Sequence, residues 1–139
     1  MNEIEEPQQT RYGEGDATFQ AAGGEQGICK LVNCFYDNMD TIAEAKIIRA
    51  MHPEDMTISR DKLARFLCGW IGGPKLFSEK YGPIKIPVAH RHLDIGTAER
   101  DAWLLCMKQA LAAQDYPQSL RDYLIKELAV PAERSRSRD

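Results

Sequence analysis

The sequence predicts an all-α domain, a small sandwich of helices. Three observations carry that expectation. Apolar residues recur at helical spacing in almost every periodic stretch. No stretch alternates with period two over any length. Gly-Gly and Gly-Pro pairs fall between the periodic stretches, where helix ends are expected. With 139 residues, 43% of them hydrophobic, the chain has the length of one domain and enough apolar side chain for one core.

In chain order, residues 1–14 are polar and are expected to form a flexible extension ahead of a domain over 15–130. A short helical piece is expected near 16–22, closed by Gly23-Gly24. Ile28, Leu31, Val32, Phe35, Tyr36 and Met39 then fall at i, i+3, i+4, i+7, i+8 and i+11, one stripe on a helix of about four turns. Thr41 and Glu44 have capping-box spacing. They predict a short helix carrying Ile47, Ile48 and Met51 that stops before Pro53. Leu63, Phe66, Leu67, Trp70 and Ile71 mark a third long helix, ended by Gly72-Gly73-Pro74.

Residues 74–96, with Pro74, Gly82-Pro83 and Pro87, read as irregular, with at most a short turn of helix around 86–92. Loops of this length usually serve a function. Thr97 is expected to cap a helix with Glu99 and Asp101 in its first turns, where acids suit the dipole. Its stripe is Trp103, Cys106, Met107, Ala110 and Leu111. Pro117 opens a last helix carrying Leu120, Tyr123, Leu124 and Leu128. Residues 131–139 read PAERSRSRD, and alternating Arg and Ser predict a disordered tail.

Lys plus Arg is 18 against 21 Asp plus Glu, a net charge of −3, which gives no general attraction to nucleic acid or to an anionic membrane. No apolar run is long enough to span a bilayer, and MNEIEEPQQT lacks the basic start and apolar stretch of a signal peptide. A cytoplasmic protein is expected. Cys29, Cys34, Cys68 and Cys106 form no CxxC and are expected as buried free thiols. The chain has no Walker loop, GxGxxG, HExxH or GxSxG. Asp37/Asp40 and Glu99/Asp101 read as caps and solvated faces rather than acid–base pairs.

The spacing of His90 and His92 suits metal ligation, but no third ligand stands nearby, so a structural zinc is not expected. Tyr36 and Trp103 place polar-tipped aromatics within core stripes. When buried, their O–H and N–H need partners, either in a shared pocket or at backbone carbonyls.

A family resemblance rests on these residues. Phe35-Tyr36, His52-Pro53-Glu54-Asp55, Phe66-Leu67 followed by Gly72-Gly73-Pro74, Ser78-Glu79-Lys80-Tyr81-Gly82, His90, and Glu99-Arg100-Asp101-Ala102-Trp103 with Cys106-Met107 run in order over residues 12–115. In this the chain resembles the truncated (2-over-2) haemoglobins, specifically group II. The resemblance implies a globin-like 2-over-2 helical sandwich around haem b, iron protoporphyrin IX.

Within the resemblance, His90 matches the proximal histidine that binds the iron, with its other ring N–H given to a carbonyl. His92 matches no ligand position. Tyr36 and Trp103 match the distal donors to a bound diatomic ligand, O2, CO or NO. His52 stands where Tyr or Phe is usual and is implied to join the distal network. Ser59 and Leu63 match distal positions facing the ligand, the first small and the second bulky. Phe35, Phe66, Leu67 and Met107 are implied haem contacts. Lys62, one turn from Ser59, and Arg91, beside the proximal histidine, are the implied partners of the haem propionates; Ala89 departs from relatives, which often carry Arg at that position.

A tight donor set suits retention of O2 better than bulk transport. The resemblance therefore implies oxygen or NO chemistry, with NO dioxygenation or peroxidase-like redox work as its enzymatic forms. An unidentified reductase is then a partner, and the protein is a monomer or a weak homodimer. A reading of another class is a helical interaction module with no cofactor. The visible spectrum of purified protein separates the two.

Overall fold

The computed structural model describes residues 11–83, 93 and 95–137. Its helices are α1 (Ala17–Ala21), α2 (Gly24–Thr41), α3 (Lys46–Ala50, entered by a 3-10 turn at Ala43–Ala45), α4 (Thr57–Trp70), α5 (Leu76–Tyr81), α6 (Thr97–Ala112) and α7 (Gln118–Arg134). Among the described residues there is no strand, and no helix is long and apolar enough to cross a membrane.

The whole predicted stripe of α2, Ile28, Leu31, Val32, Phe35, Tyr36 and Met39, is buried. It is broad enough to serve two neighbours, and α2 packs on α4 and on α6. α6 in turn carries α7, so the pair α2/α4 is layered on the pair α6/α7. This is the 2-over-2 sandwich. A polar tie crosses the layers where the Asn38 amide donates to the Cys106 carbonyl at 3.1 Å.

Several local expectations change in the fold. Thr41 is the last residue of α2, and its hydroxyl bonds back to the carbonyls of Asp37 and Asn38, so it caps no helix with Glu44. The 74–96 stretch contains a helix at Leu76–Tyr81, earlier than the turn expected over 86–92, which lies outside the described residues. Asp61 of α4 fastens this helix, accepting from the Tyr81 hydroxyl at 2.6 Å and from Lys80 at 3.0 Å. The N-cap of α6 is Gly96 rather than Thr97, and the buried Glu99 carboxylate accepts the Gly96 N–H at 2.7 Å.

The last helix runs on through Pro131 to Arg134, past the expected boundary at 130. Pro131 cannot donate a helix hydrogen bond. Leu120, Leu124, Leu128 and Ala132 nevertheless form one buried face across it, and that burial carries the helix on. Nor is the stretch to 137 a free tail. Arg100 and Arg136 both pair with Glu133. The Ser137 N–H donates to the Ile95 carbonyl at 2.8 Å, and its hydroxyl accepts the Ile95 N–H at 2.9 Å. Arg136 finds the Glu133 carboxylate, and the serine takes backbone groups of the segment entering α6.

At the other end, Tyr12 lies against Tyr123 with ring centroids 5.2 Å apart, and its hydroxyl is 3.0 Å from Ser119 Oγ. The expected extension over 1–14 is thus held on α7 from Tyr12 onward. Of the cysteines, Cys68 and Cys106 are buried, whereas Cys29 is exposed and Cys34 half-buried. Positions 29 and 34 lie off the α2 stripe, which is why burial fails there.

Two glycines are required by close backbone crossings. A Cβ at Gly27 would lie 2.0 Å from the Ala22 carbonyl oxygen. At Gly72 the φ of +97° is left-handed, and a Cβ would lie 2.0 Å from the Gly15 carbonyl oxygen. Gly72→Ala is expected to lower stability by at least ~2 kcal/mol, combining αL strain with the clash. A chemical-denaturation midpoint equal to that of the parent protein counts against this crossing.

Candidate functional site

Phe35 and Tyr36 are consecutive on α2, and both are buried because the stripe there is two residues wide. Phe35 is 0% exposed, and its ring packs against two polar-tipped aromatics. The Tyr36 ring centroid is 4.9 Å away, edge-on, and that of Trp103 from α6 is 5.0 Å away. His52, which follows α3, meets the Tyr36 ring edge-on at 5.7 Å. Three parts of the chain thus converge, and they bring together four residues that the sequence reading singled out: Phe35, Tyr36, His52 and Trp103.

The Tyr36 hydroxyl donates to the Ser59 carbonyl at 3.4 Å, the backbone alternative left open in the sequence. At that length the bond is weak and is easily exchanged for a better acceptor. Burial pushes the phenol up to about 12, with the Arg60 charge pulling the other way. Tyr36 is therefore a neutral donor at any physiological pH. Trp103 is half-buried, and its indole N–H makes no hydrogen bond among the described residues. His52 Nδ1 lies 2.8 Å from the Ile48 carbonyl. A carbonyl only accepts, so Nδ1 carries the proton and, in the neutral ring, Nε2 is an acceptor.

α4 presents two adjacent faces. Ala64, Leu67, Cys68 and Ile71 are buried in the core. Beside them Ser59, Leu63, Phe66 and Trp70 form a half-buried strip, with the Phe66 and Trp70 rings stacked at 6.4 Å. Leu67 therefore lies on the core face, one residue off that strip. Met107 is fully buried. Lys62 is exposed, and its Nζ lies 5.3 Å from the centre of the Tyr81 ring. His90 and Arg91, with His92, lie outside the described residues.

Sequence reasoning misses two groups at this site. One is the Ser59 carbonyl, a backbone atom that no residue type advertises. The other is Arg60, whose guanidinium carbon lies 5.6 Å from the centre of the Tyr36 ring. An open groove of about 430 Å³ between α2 and the end of α6, lined by Lys30, Cys34 and Gln114 among others, holds none of these side chains.

The donor set fits a flat apolar group that carries a small polar ligand. A neutral phenol and an indole N–H flank one buried ring, and a strip of Leu and aromatic side chains on α4 is only half covered. The sequence matches the model of the bacterial-like globin family over residues 17–135. It is 30% identical over 117 residues to the Group 2 truncated hemoglobin YjbI of Bacillus subtilis, covering 84% of this chain and 86% of that protein.

Among solved structures, the fold is similar to a cold-adapted truncated hemoglobin from the Antarctic marine bacterium Pseudoalteromonas haloplanktis. The TM-score is 0.84 and the identity 32%, over 88% of this chain and 98% of that one. It is equally similar to a group II 2-on-2 hemoglobin from Agrobacterium tumefaciens, with a TM-score of 0.83 and 34% identity over 88% and 95% of the two chains.

Proposed function

The chain belongs to the bacterial-like globin family, as a truncated haemoglobin of the group II kind, and from that premise we propose that it holds haem b through His90 and retains O2 under Tyr36 and Trp103. As a globin it is a haem protein that binds oxygen, and this sets aside the cofactor-free interaction module. Haem supplies an iron that takes a diatomic ligand and leaves partial negative charge on it.

One observation carries the assignment of the distal side. A single buried ring, Phe35, packs on both Tyr36 and Trp103 at 4.9 and 5.0 Å, which supports the reading that two donors from different helices serve one ligand. Donors held close to an apolar site stabilise such charge strongly, because there is little water to compete with them. Tyr36 turns its hydroxyl from the weakly held Ser59 carbonyl to the ligand. Trp103 offers an N–H that needs no release.

His52 has a different role while its ring is neutral. Its N–H is engaged at Ile48, so it contributes an acceptor and an edge packed on Tyr36 rather than a third donor. Ser59 and Leu63 border the ligand, and Leu63, Phe66 and Met107 contact the haem, with Phe35 and Leu67 behind them. Lys62 and Arg91 serve the propionates. The exposed Lys62 ammonium rests on the half-buried Tyr81 ring, a contact worth only ~0.5–1 kcal/mol, so a carboxylate competes well for it.

Strong retention favours oxygen or NO chemistry, such as NO dioxygenation or peroxidase-like turnover, over bulk transport. Such turnover draws electrons from a separate reductase. CO and NO occupy the same site.

His90→Ala is expected to abolish the Soret band of the purified protein while far-ultraviolet circular dichroism keeps its helical signal. His92→Ala is expected to keep the band. A His90→Ala protein that retains the parent spectrum refutes the proximal assignment.

A further inference from the structure

Arg60 lies one residue beyond Ser59 on α4 and belongs to no part of the ligand set described above. Its guanidinium is fixed to the helix that carries Tyr36. Nη1 donates to both the carbonyl and the side-chain oxygen of Asn33, each at 3.1 Å, and Nη2 donates to Asp37 Oδ1 at 3.1 Å. Asn33 and Asp37 are one turn apart on α2, so the planar fork spans a turn of that helix. This anchoring sets the cation 5.6 Å from the Tyr36 ring centre, with the arginine side chain only 27% exposed.

We propose that Arg60 is a positioning residue for Tyr36, holding the phenol ring in the orientation from which its hydroxyl reaches the bound ligand. The inference rests on the distal-donor reading of Tyr36. Consecutive residues of α4 then hold the phenol at two points, the Ser59 carbonyl at its hydroxyl and the Arg60 cation over its ring. A cation above the ring stabilises the negative face of the π system. It also makes the phenol a stronger acid, and so a stronger donor, than burial alone leaves it. Because the guanidinium is tied to Asn33 and Asp37, the ring cannot turn without losing that contact.

The test uses haem-loaded protein and four variants: Arg60→Met, Arg60→Lys, Tyr36→Phe and the double variant of Arg60→Met with Tyr36→Phe. The O2 off-rate and the infrared stretching band of bound CO are read for each. The CO band reports a donor aimed at the ligand, which a merely structural change does not move in a set direction. Arg60→Met is expected to raise the off-rate roughly threefold and to shift the CO band toward its position in Tyr36→Phe. Arg60→Lys restores part of both, and the double variant matches Tyr36→Phe alone.

An Arg60→Met protein that keeps the parent off-rate and band, while Tyr36→Phe changes both, overturns the role of Arg60 and leaves Tyr36 as donor. An Arg60→Met effect of equal size in the Tyr36→Phe background overturns it too, because the arginine then acts elsewhere. A silent Tyr36→Phe variant removes the donor reading and this inference together. Should Arg60→Met fail to fold, Asp37→Asn loosens the same guanidinium while keeping its charge. It is expected to shift both readouts in the same direction by less, and no shift counts against the proposal.

Discussion

Replacing Tyr36 with Phe is expected to raise the O2 off-rate at least about tenfold, and Trp103→Phe to do the same, in displacement of O2 by CO followed by stopped flow. A hydrogen bond to a charged acceptor contributes ~1.5–3 kcal/mol, and 1.4 kcal/mol is a factor of ten. The two proposed donors come from different helices and pack on one ring, so their effects are expected to be coupled. The double variant should therefore depart from the product of the single effects. Tyr36→Phe costs the fold little, since the hydroxyl gives up only a 3.4 Å bond. Unchanged off-rates in both single variants would end the donor model.

The same phenol has a signature in alkali. Its folded pKa of about 12 lies above the ordinary tyrosine value of 10. Between those limits the unfolded chain loses the proton and the native protein keeps it. Stability that is fully present below pH 10 is thus lost as pH rises toward 12, by an amount on the order of 2 kcal/mol from this residue. Tyr36→Phe removes that part of the alkaline fall. The phenol stays neutral up to about pH 11, so as the proposed donor it is expected to lend the off-rate no pH dependence across the physiological range.

Phe35→Ala has the largest expected effect on stability, a loss of ~3–5 kcal/mol in chemical denaturation. Phe35 is fully buried and touches both polar-tipped aromatics, so truncation opens a cavity in the layer where α2 meets α6. Function should suffer with stability. With the backing ring gone, Tyr36 and Trp103 lose the surface that fixes their spacing, and the O2 off-rate rises as it does when either donor is removed. A Phe35→Ala protein within ~1 kcal/mol of the parent, with its off-rate unchanged, is incompatible with this packing.

Much of this protein can be read within a few residues of chain at a time. The stripe from Ile28 to Met39, the Gly72-Gly73-Pro74 stop and the acidic first turn of α6 are local facts, because a helix repeats its faces every three or four residues. So was the order of motifs that marks the family, and with it the expectation of haem.

Tertiary structure decided the rest. It chose Gly96 over Thr97 as the cap and let burial at Leu128 and Ala132 carry α7 through Pro131. It joined Ser137 to the segment before α6, and set Phe35 against both Tyr36 and Trp103. It also gave Tyr36 a backbone oxygen and an arginine cation as neighbours. Periodicity tells which side of a helix is apolar. Which helix covers that side, and which carbonyl or charge arrives with it, depends on packing between segments far apart in the chain.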